Sequence, residues 1–235
     1  MGLPSKAQCF EINFEIEKRR IQLRMKEVLL VNDIFYSIQG ESSFAGSRCI
    51  FIRLAGCNVK CEWCDTTYAY NEGCELTIGD ILIKVGAWDC DLVEVTGGEP
   101  LLQEHSIQLM EELVAKGYRV LLETSGTESI MNVPQKVVII MDIKCPSSGA
   151  VDKNKEDNIA LLKSNDEIKF VIADRNDYEW AKEKVRSLRE GGCTNVILFS
   201  PVRDCMNSNE LALWILEDNL PVRLQLQLHK LAGMK

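Results

Sequence analysis

The sequence predicts an α/β protein in which parallel strands form an open sheet or a barrel with crossover helices. Apolar, strand-like runs alternate along the chain with amphipathic helical segments, which is the pattern of repeated βα units. Strands such as Val137–Asp142 are apolar on both faces, as buried parallel strands are. The chain has no short repeat and no low-complexity linker. We therefore expect one domain whose chemistry gathers at the C-terminal ends of its strands.

The predicted elements follow one another at short intervals. The strand candidates are Val28–Ser37, Cys49–Leu54, Leu92–Thr96, Val120–Glu123, Val137–Asp142, Glu167–Ile172, Asn195–Phe199 and Val222–Leu226. The helical candidates are Ile78–Gly86, Gln103–Lys116, Asn158–Leu162, Asn176–Arg189 and Ser208–Glu217. The second helix has apolar residues at the spacing of one helix face, namely Ile107, Leu109, Met110, Leu113 and Val114. The longest irregular loop is Lys144–Asp157.

The first 25 residues differ from the rest of the chain. Apolar residues alternate over Phe10–Ile16 as in a strand, and the charged segment Glu17–Arg24 then favours a helical turn. Met25 and Lys26 stand directly before the first long apolar strand. We expect residues 1–25 to be an N-terminal extension and residues 26–235 to form the domain.

Composition and charge exclude several classes of protein. The 235 residues are 46% hydrophobic and 26% charged, which excludes a chain disordered throughout, a collagen and a coiled coil. The net charge of −8 repels the phosphates of nucleic acids. No apolar run approaches the roughly 18 residues of a membrane span, and Met1–Met25 has no apolar signal-peptide core. We expect a cytoplasmic enzyme whose partners include neither nucleic acid nor membrane.

Three of the ten cysteines lie in one loop. Cys57, Cys61 and Cys64 form the motif C-x-x-x-C-x-x-C directly after the strand Cys49–Leu54 and its turn. Three thiolates from one short loop can converge on one metal centre, and a 4Fe–4S cluster normally takes four. Three thiolates leave one iron open to an exogenous ligand, much as an open position distinguishes catalytic from structural zinc sites.

Other interpretations of this loop remain open. A fourth cysteine would close the site, and Cys49, Cys74 and Cys90 are available, although none has the short spacing expected of a partner. The motif is also compatible with a structural zinc ion, a redox disulfide or unrelated core cysteines. The remaining seven cysteines are expected to be small packing residues.

The cysteine loop is one of several motifs that together resemble the radical S-adenosylmethionine (SAM) superfamily and, more closely, its 7-carboxy-7-deazaguanine synthase family, which acts in queuosine biosynthesis. The motifs are Ser37-Ile38-Gln39-Gly40-Glu41, Phe51-Ile52-Arg53-Leu54-Ala55-Gly56-Cys57, Cys64-Asp65-Thr66, Thr96-Gly97-Gly98-Glu99-Pro100, Glu123-Thr124-Ser125-Gly126-Thr127 and Gln227-Leu228-His229-Lys230. The resemblance spans Val28–Ala232. It implies a partial, open (β/α) barrel of the radical SAM type, with about six parallel strands and some helices reduced.

The resemblance also implies cofactors and partners. The cofactors are a 4Fe–4S cluster held by the three cysteines of the loop, SAM, and Mg²⁺ with Thr66 as its ligand. Mg²⁺ prefers oxygen ligands and takes several of them from water and substrate. The expected partners are a pterin substrate, a second copy of the chain in a homodimer, and a flavodoxin or ferredoxin as electron donor. Thr66 is otherwise expected only to cap the cluster loop.

For SAM, the resemblance implies residues at successive strand ends: Gly98, Glu99, Ser125, Asp142, Ile143, Lys144, Ser200, Pro201, Val202 and Arg203. Glu99 is an acceptor-only carboxylate suited to an ammonium group, and glycines let a ligand approach the backbone. Asp142 and Ser200 depart from the Ser-Pro-Lys and Gln-Pro segments of many relatives, which leaves their side-chain contacts open. Without a ligand, these segments would be tight turns at Glu99 and Ser125 and a solvated strand end at Asp142.

For the substrate, Arg53 offers a planar fork that binds a carboxylate through two hydrogen bonds. An inward-pointing arginine in an apolar strand is costly unless it is paired, which favours a functional role. The resemblance adds the backbone groups of Ile38, Gln39 and Gly40 for the pterin edge, and the hydroxyl of Thr96. It also adds His229 for closure over the substrate, a residue that would otherwise be an ordinary polar tail residue.

The activity that the resemblance implies is that of a carbon–nitrogen lyase acting on 6-carboxy-5,6,7,8-tetrahydropterin. Cleavage of SAM gives a 5′-deoxyadenosyl radical that takes a hydrogen from carbon 6 of the pterin. The ring contracts, the hydrogen returns so that SAM is regenerated, and loss of ammonia gives 7-carboxy-7-deazaguanine. The cofactors supply this chemistry, and the protein orients and shields the reactants. No catalytic residue beyond the cluster and SAM is expected.

Two other functions remain compatible with the sequence. An activating enzyme for a glycyl-radical protein has the same cysteine motif, but it needs a docking surface for a protein partner and no carboxylate anchor such as Arg53. A non-enzymatic zinc or iron–sulfur module would bind no SAM and would need a fourth cysteine ligand.

Overall fold

The computed structural model describes residues 27–235. The predicted N-terminal extension, with its strand-like and helical segments, lies outside the described residues. Among residues 27–235, no helix combines the length and the apolar character that crossing a membrane requires.

A single nine-stranded sheet organises the described chain, in the order β3-β1-β2-β4-β5-β6-β7-β8-β9. The strands are β1 (Val28–Ile38), β2 (Arg48–Leu54), β3 (Cys74–Thr77), β4 (Leu92–Gly97), β5 (Arg119–Thr124), β6 (Val138–Ile143), β7 (Glu167–Ile172), β8 (Val196–Pro201) and β9 (Arg223–Leu224). Every neighbouring pair from β2 to β9 is parallel, whereas β1 runs antiparallel to β2 and β3. The two outermost strands do not pair, so the barrel is open.

Five α-helices accompany the strands within residues 27–235: α1 (Ile78–Val85), α2 (Ser106–Ala115), α3 (Arg175–Glu190), α4 (Ser208–Glu217) and α5 (Leu228–Leu231). The connections from β5 to β6 and from β6 to β7 contain no α-helix. The second connection carries only the 3₁₀ turns Pro146–Ser148, Val151–Lys153 and Glu156–Leu161. The predicted open barrel with reduced helices and about six parallel strands is therefore confirmed.

Three local predictions were wrong, each for a physical reason. The helix predicted at Asn158–Leu162 is part of the 3₁₀ turn Glu156–Leu161, because side-chain hydrogen bonds to a distant loop compete with a regular helix there. The Asn158 side chain instead binds the backbone of Gly126, Glu128 and Ile130. The strand predicted at Val222–Leu226 is only two residues long, as β9. Strand β3 was not predicted; it is a largely exposed edge strand that pairs with β1 alone.

The two faces of the sheet differ in chemistry. Toward the helices, Phe170 of β7 and Phe199 of β8 are fully buried, and Phe199 meets Tyr178 of α3 edge to face. On the other face of β7, between the buried Ile168 and Phe170, the side chain of Lys169 lines a cavity. Alternation along a strand thus separates an apolar face, which packs under helices, from a polar face that surrounds the cavity.

We expect Leu109→Ala to destabilise the fold without altering the polar face. Leu109, Met110 and Leu113 of α2 are fully buried, as the predicted apolar face requires. Removing the Leu109 side chain leaves a cavity between α2 and the sheet, at a cost of about 2–5 kcal/mol in the free energy of unfolding. Urea denaturation measures it, with Leu216→Ala as the control because Leu216 of α4 is 70% exposed. Equal effects of the two substitutions would contradict this packing.

Candidate active site

A cavity of about 490 Å³ lies at the C-terminal ends of the parallel strands. Most of the residues predicted for the site line it: Gln39, Arg53, Cys57, Cys61, Cys64, Thr66, Thr96, Gly98, Ser125, Asp142, Lys144, Ser200, Pro201, Val202, Arg203 and His229. The four predicted residues that are not among its lining residues are Ile38, Gly40, Glu99 and Ile143. Side chains from distant parts of the sequence, such as Arg53 and His229, thus meet at one space.

The cysteine loop forms one wall of this cavity. Hydrogen bonds to the segment that follows β6 hold the loop in place. Cys57, Cys61 and Cys64 all line the cavity and are partly exposed. The ammonium of Lys153 donates to the carbonyl of Asn58 at 2.6 Å, and the indole of Trp63 donates to Ser147 at 3.3 Å. Burial raises the pKa of the Cys61 thiol above its ordinary value. A loop held at two points presents its three thiols to the same space.

The cysteines considered as a fourth ligand lie elsewhere. Cys49 and Cys90 are buried, with their thiols directed at backbone carbonyls, and Cys74 is exposed on β3. None of the three lines the cavity. Within residues 27–235, no three His, Cys, Asp or Glu side chains lie close enough together to hold a metal ion. Among these residues, the cysteines that line the cavity are Cys57, Cys61 and Cys64, and three thiols suit a cluster with one iron left for another ligand.

Two glycines at the end of β4 bring that strand against the cysteine loop. Gly97 has φ +142°, and a Cβ on it would lie 2.0 Å from the Leu54 carbonyl oxygen. A Cβ on Gly98 would lie 2.1 Å from the Gly56 oxygen and 2.8 Å from Cys57 Cβ. The amide of Glu99 donates to the Gly56 carbonyl at 2.8 Å. The structural reason for these glycines is thus contact between two chain segments, in addition to any ligand contact.

Glu99 lies behind the wall of the cavity and is fully buried. Its carboxylate accepts hydrogen bonds from the Thr124 hydroxyl at 2.8 Å, from the Ser125 amide at 2.8 Å and from the Ser125 hydroxyl. It also accepts from the Leu101 amide at 3.0 Å. In this arrangement Glu99 positions Ser125, which does line the cavity, and a direct contact of Glu99 with an ammonium group stays a prediction.

Asp142 and Lys144 form a buried ion pair at the end of β6, 3.0 Å apart. The alternative of a solvated strand end is therefore wrong. The second carboxylate oxygen of Asp142, Oδ1, is buried without a hydrogen-bond partner among the described residues. Such an atom carries a desolvation cost unless a ligand donates to it. Ser200, Pro201, Val202 and Arg203, at the end of β8, line the same cavity.

Arg53 projects from β2 into the cavity between aromatic rings. Its guanidinium carbon lies 5.8 Å from the centroid of Phe35 and 6.0 Å from that of Tyr68. These contacts use the face of the guanidinium, whereas an anion binds the N–H fork at its edge. Thr96 is the direct neighbour of Arg53 across the β2–β4 pair. The two side chains that sequence predicts for the substrate therefore lie next to each other.

The backbone groups of the turn after β1 form hydrogen bonds with other parts of the protein. The amide of Gln39 donates to Ser47 and its carbonyl accepts from Gly46, each at 2.8 Å, and the Gly40 carbonyl accepts from the Leu228 amide at 2.9 Å. Gln39 lines the cavity, and its side-chain amide donates to Glu94, which lines it too. A Cβ on Gly40 would lie 1.8 Å from His229 Nδ1, so the absence of a side chain at Gly40 leaves room for the His229 ring.

A group of charged residues on the polar face was not predicted from the sequence, namely Glu41, Glu94, Glu123 and Lys169. Lys169 forms ion pairs with Glu41 at 2.9 Å and with Glu123. Glu94 accepts a hydrogen bond from the Gln39 amide, and burial raises its pKa well above the ordinary value, with the charges of Glu123 and Glu41 adding to the shift. Glu94, Glu123 and Lys169 are charged residues within apolar strands, as Arg53 is. This sequence pattern could therefore have identified these three residues.

Comparison with known proteins agrees with this geometry. Residues 51–146 match the model of the radical SAM superfamily. A 7-carboxy-7-deazaguanine synthase of Koribacter versatilis is 45% identical over 85% of this chain and 95% of its own length. Another from Chlorobaculum tepidum is 47% identical over 86% and 93%. The crystal structure of QueE from Escherichia coli covers 89% of this chain and 98% of its own, with a TM-score of 0.73 and 23% identity, and thus shares the fold.

The open barrel and the three-thiol loop define a radical SAM protein. Within that superfamily, the chain belongs to the 7-carboxy-7-deazaguanine synthase family.

We expect Gly98→Ala to lower the iron content of the reconstituted protein to less than about half that of the wild type. The added methyl group overlaps the Gly56 backbone and Cys57, so the cysteine loop must move. Gly79→Ala is the matched control, because a Cβ there meets its nearest neighbour, the Thr77 hydroxyl, at 3.6 Å. Iron and sulfide analysis measures the difference. Full iron content in Gly98→Ala would contradict the role assigned to this contact.

Proposed function

We propose that the protein converts 6-carboxy-5,6,7,8-tetrahydropterin into 7-carboxy-7-deazaguanine and ammonia in the queuosine pathway. The observation that carries the proposal is that one cavity is lined by the three thiols, by Arg53 and by a set of buried polar side chains. The thiol side suits a cluster with SAM, and the arginine side suits a small anionic substrate. Family membership supports the same activity.

Cys57, Cys61 and Cys64 would hold the cluster, and SAM would lie between them and the ends of β4, β5, β6 and β8. When bound, the cluster and SAM together supply the radical that abstracts hydrogen from the substrate. The unpartnered Asp142 oxygen would accept a hydrogen bond from a hydroxyl group of SAM. Gly98, Ser125, Lys144 and Ser200–Arg203 would form the rest of its surroundings. Ile143 does not line the cavity, so it would contribute to SAM binding through the backbone of β6.

Arg53 would bind the carboxylate of the pterin through its N–H fork, with the Thr96 hydroxyl beside it. Gln39, Glu41 and Glu123 would then face the polar ring edge, because their side chains line the same part of the cavity. Burial acts to raise the pKa of Glu41, but the charge of Lys169 and the amide of Gln227 outweigh it, so that the pKa lies below its ordinary value. Glu41 is thus an ionised acceptor suited to N–H donors.

Thr66 would contribute its hydroxyl to Mg²⁺, with the substrate carboxylate and water completing the oxygen ligands. The neighbouring Asp65 forms an ion pair with Lys230 of α5. This ion pair joins the cysteine loop to the segment that carries His229 and closes one side of the cavity. The segment would therefore shield the substrate from water during the radical steps.

We also propose a homodimer and a flavodoxin or ferredoxin as electron donor. Support for the dimer comes from the edge strand β9 and the chain after it, where Leu224, Leu226, Leu228 and Leu231 are at least 38% exposed. Exposed apolar groups beside an unpaired strand edge favour association.

One anaerobic turnover assay tests the proposed function. The reconstituted protein receives reductant, SAM, Mg²⁺ and 6-carboxytetrahydropterin, and mass spectrometry follows the products. We expect 7-carboxy-7-deazaguanine to accumulate in excess over 5′-deoxyadenosine. Formation of 5′-deoxyadenosine and methionine alone would overturn the substrate and would favour an enzyme that activates a protein partner.

We expect Arg53→Lys to raise the KM for the pterin by about 10- to 100-fold, because lysine keeps the charge but loses the planar fork. The affinity for SAM should stay within about twofold of the wild type, since SAM occupies the other side of the cavity. Arg119→Lys is the matched control, because Arg119 pairs with Asp91 at an exposed site on the start of β5. An unchanged KM in Arg53→Lys would overturn its role as carboxylate anchor.

A further inference from the structure

Lys169 is a buried lysine at the centre of the polar face, and nothing in the proposed mechanism uses it directly. It lies on β7 opposite Asp142 of β6, and only 5% of its side chain is exposed. Its ammonium is 2.9 Å from Glu41 and 3.7 Å from Asp142, and it also donates to Glu123. One ammonium thus connects the turn after β1 with β5 and β6.

The two carboxylates nearest Lys169 have different additional partners. Glu41 accepts hydrogen bonds from Gln225 at 3.0 Å and from Gln227 at 2.8 Å. Glu123 accepts one from the Thr96 hydroxyl at 3.2 Å. Both carboxylates line the cavity, and the partner of Glu123, Thr96, is the direct neighbour of Arg53 across the β2–β4 pair. Their common partner is therefore Lys169, which holds them together although they come from distant parts of the chain.

The number of charges at this face makes Lys169 critical. Six carboxyl groups of the described residues line the cavity, and two of them, Asp65 and Asp204, pair with Lys230 and Arg203. The other four are those of Glu41, Glu94, Glu123 and Asp142, and the lysines paired with members of this group are Lys144 and Lys169. Lys144 pairs with Asp142, which leaves Lys169 as the ammonium shared by Glu41 and Glu123. Glu94 has the Gln39 amide as its hydrogen-bond partner instead of an ammonium. Without Lys169, two carboxylates a short distance apart would repel each other in a buried space.

We propose that Lys169 is a positioning residue that fixes Glu41 and Glu123 as a pair of hydrogen-bond acceptors for the substrate. The proposal rests on the proposed function, since it assigns these two carboxylates to the substrate side. Lys169 does not touch the substrate in this arrangement. It acts by neutralising and orienting the groups that do, so that both present oxygen atoms to N–H donors on the ligand.

The test is a double-mutant cycle with Lys169→Met, Glu41→Gln and the combined variant. Each is prepared as holoenzyme, and pterin and SAM dissociation constants are measured anaerobically without reductant. We expect Lys169→Met to weaken pterin binding by about 100-fold and to leave SAM binding within about twofold. Because Lys169 acts through Glu41, the combined variant should bind the pterin no more weakly than the weaker single variant.

Two results would overturn the proposal: an unchanged pterin dissociation constant in Lys169→Met, or effects of the two substitutions that simply multiply. Lys182→Met is the control, because Lys182 is a largely buried lysine that pairs with Asp218 and Glu179 outside the cavity. If Lys169→Met does not fold, Lys169→Arg keeps the charge but not the geometry. Pterin binding by that variant equal to the wild type would overturn the proposal.

Failure of the proposed function gives a different result. In that case the wild-type holoenzyme itself does not bind 6-carboxytetrahydropterin. If the wild type binds it and Lys169→Met binds it equally well, the proposed function stands and the role of Lys169 alone is overturned.

Discussion

The close backbone contact between the end of β4 and the turn after β2 is the constraint on which the rest of the site depends. Gly97 and Gly98 allow it, because a side chain at either position would overlap the backbone of Leu54 or Gly56. The contact sets the start of the cysteine loop and, one residue later, places Glu99 where Thr124 and Ser125 can bind it. Three neighbouring strand ends are thereby fixed relative to the thiols.

The polar face follows a different principle, since charge rather than close packing holds it together. Lys169 pairs with Glu41 and Glu123, and Lys144 pairs with Asp142. Glu94, Glu123, Asp142 and Lys169 sit on strands of the sheet, so that rigid elements fix their positions. Rigid support of this kind is what a site needs when it must hold a small substrate in one orientation.

Most of the fold could be predicted from the sequence, because long apolar strands and the α2 stripe are strong periodic signals. The short β3 could not, and the strand predicted at Val222–Leu226 is only two residues long as β9, since the pairing of both strands depends on neighbours distant in the chain. The cysteines and Arg53 were identifiable from spacing and from a charge inside an apolar strand. Glu94 and Lys169 carry the latter signal too, but only the folded sheet shows that they meet, and only the hydrogen bonds show that Glu99 is enclosed.

The segment around α5 completes the cavity from far along the chain. Its Lys230 meets Asp65 across 165 positions, and Leu228 binds Gly40. During synthesis, the thiol loop leaves the ribosome long before this segment does. The side of the cavity that α5 forms is therefore completed only after the cysteine loop and all the described strands have been synthesised.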